Sequence, residues 1–172
     1  MQNIYFYSIF VLLIVQRISE LLISKRNEKR LRNIGAIEYG RGHYKYIVSV
    51  HVLFFVFMIA EYLFKSPEQL SMWNYVLILV FIILQILRYW VIMGTLGKRW
   101  TTGIFVIPEE IPIRKGLYKY IHHPNYIIVI LELMTIPLMF NLFFTAAVIS
   151  VLNAVVLKER IKEENKALGY RS

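Results

Sequence analysis

Apolar runs of membrane-crossing length, separated by basic loops, constrain this chain more than any other feature of its sequence. Residues 4–23, 46–64 and 73–93 are rich in Ile, Leu, Val and Phe, and each approaches the ~20 apolar residues that cross a bilayer core. A fourth stretch, 125–156, is too long for one crossing, and Pro137 and Asn141 interrupt it. Two short helices, 125–140 and 142–157, folded as a hairpin, are therefore expected. Lys65-Ser66-Pro67 closes the second span, and Trp73 and Trp90 mark the ends of the third as interfacial anchors.

Charge fixes the number of crossings. Of 20 Lys and Arg, 17 lie in the first loop, the connection 94–123 and the tail beyond residue 157. Five crossings put all three segments on one side, which the positive-inside rule makes the cytosol, with the N-terminus outside. A single helix over 125–156 would divide them. The fold class expected is an all-α integral membrane protein, one domain over residues 1–172, in the plasma membrane if the source is bacterial. The start, Met-Gln-Asn, has no basic segment, and Arg17 and Glu20 interrupt the first run, so that span is expected to be retained rather than cleaved. The net charge of +9 belongs to these loops and calls for anionic lipid rather than nucleic acid. With no cysteine, disulfides, thiolate metal sites and thiol nucleophiles are excluded, and no metal site is expected. The Gly-rich dinucleotide fingerprint, the phosphate loop, His-Glu-x-x-His and Gly-x-Ser-x-Gly are all missing. A site in this chain must be built from loops and helix ends.

The densest polar chemistry is Gly116-Leu-Tyr-Lys-Tyr-Ile-His-His-Pro-Asn-Tyr126. Pro124 suits the first turn of a helix, and the residue before it, His123, is pushed out of the α region. A helix beginning there turns its free N–H groups and positive dipole end toward the loop, where an anion is favoured. Were 117–122 helical, Tyr118 and His122 would share a face. The cluster reads either as an interfacial aromatic belt or as a ligand site. In the tail, Arg160 and Glu164 are four apart on one face of the last helix, expected to end near Leu168. The hairpin brings their level close to His123. Elsewhere, Arg17, Glu20 and Arg88 are expected to snorkel to the interface. His51 and Glu132, deeper in their spans, are expected to face the interior and line a tunnel for a substrate. Asn153 is expected to bond between helices.

Gly-x-Tyr-x-x-x-x-His-Pro-x-Tyr at 116–126 and Arg-Ile-x-x-Glu-Glu-x-x-Leu at 160–168, with Leu96-Gly97-x-x-Trp100 before them, resemble the isoprenylcysteine carboxyl methyltransferase family. The resemblance covers Leu96 to Leu168; the first two spans match in hydropathy alone. Within the family the chain is similar to bacterial members that O-methylate alkylpyrones beside type III polyketide synthases. The resemblance implies an S-adenosylmethionine-dependent O-methyltransferase whose lipophilic acceptor, an alkylpyrone enol or an isoprenoid or fatty carboxylate, enters from the bilayer. It implies cofactor contacts at Pro112, Ile113, Tyr118, His123, Pro124, Asn125, Tyr126 and Glu164. Arg160 would be the catalytic residue that orients the acceptor oxygen. One position departs: the family usually has Arg where this chain has His122, so His122 is assigned to the acceptor. A non-catalytic lipid-binding scaffold and a small transporter are the rival classes.

Overall fold

The computed structural model describes residues 2–65 and 70–169. Ser66 and Pro67, expected to close the second span, lie outside the described residues. Five helices carry the fold: α1 (Gln2–Asn33), α2 (Arg41–Phe64), α3 (Met72–Tyr89), α4 (Pro124–Leu138) and α5 (Phe143–Leu168). Three segments are long and apolar enough to cross a membrane: Asn3–Asn33, Arg41–Phe64 and Met72–Arg99. With large aliphatic and aromatic side chains exposed along them, they make this an integral membrane protein.

α1 runs ten residues beyond the expected end of the first span, because Ser24 to Asn33 contains neither Gly nor Pro and is rich in Lys, Arg, Glu and Leu. Gly35, at φ +84°, then breaks it. Two three-residue strands form the departure from an all-helical fold. β1 (Ile37–Tyr39) and β2 (Ile104–Val106) pair antiparallel, with Glu38 opposite Phe105. This ribbon ties the first loop to the long connection and lies against α5. Gly40, at φ +61°, begins α2 where a Cβ would stand 3.2 Å from Ile104 Cδ1 and 3.6 Å from Glu163 Cβ. α3 continues as a π-helical turn, Trp90–Leu96, and a short 3₁₀ turn, Gly97–Arg99.

The hairpin forms as the sequence predicts. Pro124 is the first residue of α4, and the turn between α4 and α5 follows Pro137, with Asn141 at φ +58°. This end, remote from the site, is tied by polar contacts. Asn74, wholly buried, donates to Met139 O and Asn141 Oδ1. The Glu61 carboxylate accepts from Phe144 N, Thr145 N and Thr145 Oγ1, so a side chain of α2 caps α5.

The interior holds a polar layer that corrects the snorkelling expectation. Arg88 bonds Glu20 at 2.6 and 2.7 Å and Glu132 at 2.8 Å. Arg17 bonds Glu20 and Glu132, each at 2.9 Å. Gln85 donates to Glu132 at 3.0 Å, and Gln16 donates to Gln85 at 2.8 Å. Two guanidiniums meet two carboxylates between α1, α3 and α4, and the layer is neutral. The cause is pairing: between α1, α3 and α4 each guanidinium finds carboxylates within 2.9 Å, so neither has to reach water for a partner.

Candidate functional site

Three elements meet at the end of the bundle where α4 begins. His123 takes a non-helical backbone (φ −129°, ψ 60°) ahead of Pro124, as the proline requires. Its Nε2 contacts Asn165 Oδ1 at 2.8 Å, and its ring stacks on Tyr126 with centroids 5.3 Å apart. The Tyr126 hydroxyl donates to Glu164 and accepts from Arg160 Nε at 3.1 Å. Arg160 also donates to Thr102 O at 2.8 Å, and the residue is only 4% exposed. Its bonds go to a phenol and a carbonyl. Among the described residues no carboxylate pairs with it, so its charge is left for a ligand.

These groups border a cavity of about 620 Å³. Arg160, Glu164, Tyr126 and Asn125 stand on one wall, and Tyr118, His122 and His123 on the adjoining loop; Pro112 and Ile113 lie in the roof. His51 lines the same space from α2. Two expected site residues do not line it. Pro124 is buried in the first turn of α4, and Glu132 is enclosed in the charged layer rather than on a tunnel wall. Asn153, expected to bond between helices, is buried at the cavity wall. Residues 117–122 do not form a helix: a 3₁₀ turn covers Gly116–Lys119 and ends there, so no shared helical face brings Tyr118 to His122.

The roof is fixed by residues that sequence reasoning passed over. Ser24 Oγ accepts from Thr102 N and contacts Thr102 Oγ1, each at 2.9 Å. Asn27 donates to Trp100 O at 2.7 Å and Gly97 O at 3.2 Å. A signal was present, because Ser24 and Asn27 are three apart in an unbroken run of helix formers and share a face. Further out, Arg99 clasps Glu110. That bond holds the Glu110 carboxyl below the ordinary carboxylate range. Among the described residues, two buried polar atoms of cavity-lining side chains have no hydrogen-bond partner: the Trp100 indole N–H and the Asn125 side-chain oxygen. A buried donor and a buried acceptor without partners are costly unless a ligand satisfies them.

No solved structure matches this chain. An uncharacterized protein of Bacillus subtilis, YpbQ, is 42% identical over 163 residues, covering 95% of this chain and 96% of the relative. An uncharacterized protein of Haemophilus influenzae is 33% identical over 167 residues, 94% of this chain and 93% of the relative. The model of the isoprenylcysteine carboxyl methyltransferase family matches residues 76–170, which contain α4, α5 and most of the site just described. The chain belongs to that family, and is by membership a membrane methyltransferase.

Proposed function

We propose that the protein is an S-adenosylmethionine-dependent O-methyltransferase for a lipophilic acceptor that enters from the bilayer. In this reading the chain crosses the membrane five times, with its N-terminus outside and the site and C-terminus in the cytosol. The observation that carries it is Arg160: a buried guanidinium with no carboxylate partner, facing a cavity beside a carboxylate held by a phenol.

The wall fits the cofactor. Glu164 offers a carboxylate to its ammonium or hydroxyl groups, and Asn125 and Trp100 line the same cavity. When bound, S-adenosylmethionine supplies a methyl group on a sulfonium, which an oxygen nucleophile displaces in line. Tyr126 fixes Glu164 and Arg160 relative to one another. Arg160 orients the acceptor oxyanion by charge-assisted hydrogen bonds. An acceptor that is already acidic, a carboxylate or an enol, needs no strong base, so positioning in a water-poor cavity supplies most of the acceleration. His122, which lines the cavity, is the candidate for taking up a proton where the acceptor needs one removed. The acceptors to try first are alkylpyrone enols, with a type III polyketide synthase as supplier, then isoprenoid and fatty carboxylates.

The test is calorimetric binding of S-adenosylmethionine and S-adenosylhomocysteine to detergent-purified protein, with Glu164→Ala beside it, followed by transfer of labelled methyl to extracted lipids. Binding lost in Glu164→Ala is the expected result. A folded wild-type sample that binds neither compound overturns the reading.

A further inference from the structure

The cavity continues well beyond Arg160, and its far wall is polar again. Gly40 lies against Glu163, which sets the start of α2 level with the end of α5. From that level His51 is eleven residues along α2, and Arg160 three residues back along α5. At the 1.5 Å rise of a helical residue, the backbone of His51 is about 12 Å deeper than that of Arg160. Asn153, ten residues from Glu163, reaches a similar depth on the same cavity.

His51 Nδ1 lies 2.9 Å from Ile47 O. A carbonyl only accepts, so Nδ1 carries the proton and Nε2 of the neutral ring keeps a lone pair. Among the described residues nothing bonds Nε2. Arg17 lines the same cavity from α1. Arg17 spends one N–H on Glu20 and one on Glu132, and a guanidinium has five to give. A lone pair and free N–H groups on one cavity complement a hydroxyl, which donates to the first and accepts from the second. A plain hydrocarbon laid over these atoms would remove their water and return no hydrogen bond.

The rest of such a molecule has an apolar route. Ile18, Val52 and Val56 line the cavity, yet are 53, 55 and 49% exposed, so its mouth opens between α1 and α2. Farther from the site that seam is shut, with Phe6 stacked on Tyr62 at 3.5 Å and Phe10 edge-on to Phe55 at 5.6 Å.

We propose that His51 and Arg17 form a second polar subsite, which reads a hydroxyl group part-way along the acceptor chain. The acceptor is then a hydroxylated amphiphile rather than an acid on a plain hydrocarbon tail. The identity of the methylated end rests on the methyltransferase reading; the subsite does not.

Ricinoleate and oleate, which differ only in a mid-chain hydroxyl, provide the test. Their binding to purified protein is compared for wild type, His51→Leu and His51→Gln, with cofactor binding and methyl transfer followed in parallel. Wild type is expected to favour ricinoleate about tenfold. His51→Leu should bind both lipids alike with cofactor affinity unchanged. His51→Gln, whose amide oxygen accepts, should regain part of the preference. Equal binding by wild type, or a preference that survives in His51→Leu, overturns the proposal. Where His51→Leu does not fold, His51→Phe takes its place under the same criteria. A ricinoleate preference without cofactor binding or methyl transfer upholds the subsite and sinks the methyltransferase; methyl transfer without the preference does the reverse.

Discussion

Arg88 and Arg160 are buried to almost the same degree, 3 and 4% exposed, and live in opposite company. Arg88 has two carboxylates and uses Nε and both terminal nitrogens on them. Arg160 has a phenol and a main-chain carbonyl. The first is neutralised within the fold, and its layer gives mid-bundle charge without leaving any over. The second is held in position by neutral groups, which keeps its charge available at a cavity wall. Counting buried arginines says little about function; asking what balances each one separates scaffold from site.

Mutation sharpens the contrast. Arg88→Ala leaves the Glu132 carboxylate with Arg17 alone and should cost about 3–5 kcal/mol in thermal unfolding, whereas Arg88→Met combined with Glu132→Leu should recover most of that loss. Arg160→Ala should spare stability and cofactor binding but lower methyl transfer about a hundredfold. If its unfolding loss matches that of Arg88→Ala, the distinction between the two arginines collapses. Glu164→Gln should weaken S-adenosylmethionine binding about tenfold, or about 1.4 kcal/mol, by calorimetry. Glu61→Gln, which weakens the cap of α5, should cost about 1 kcal/mol with site chemistry intact. The smallest effect belongs to the exposed Arg99–Glu110 clasp. Because the folded Glu110 carboxyl is held below its unfolded value, the clasp's contribution is complete above the ordinary carboxylate range and disappears as pH falls through the folded value. Proteolysis of the 99–113 loop should quicken only on acidification.

Some of this was legible from the chain alone, for local reasons. Pro124 fixes the start of α4 through its own ring, and Gly169, left-handed at φ +70°, stops α5 at the expected residue. Arg160, Glu164, Tyr126 and His123 converge because a hairpin leaves few other places for its open end. The charged layer was not legible, since it pairs Arg17 with Glu132 and Arg88 with Glu20 across 115 and 68 positions, which no local pattern encodes. Nor was the ribbon, because Ile37-Glu38-Tyr39 is too short to signal a strand until its partner is known. Ser24 and Asn27 were legible only as a shared helical face; their roof partners lie more than seventy positions on.

The ribbon also bears on how the protein is made. β1 leaves the ribosome before α2 and α3, and its partner β2 only after both. Until then β1 offers unpaired backbone at the membrane surface, and the roof has no strand to hang from. Closure of the cavity therefore waits for the third helix to be inserted, and α4 and α5, emerging last, complete a vestibule whose lintel is already in place. A chain arrested after β2 and before α4 should carry the paired ribbon, resistant to protease, with no floor beneath it.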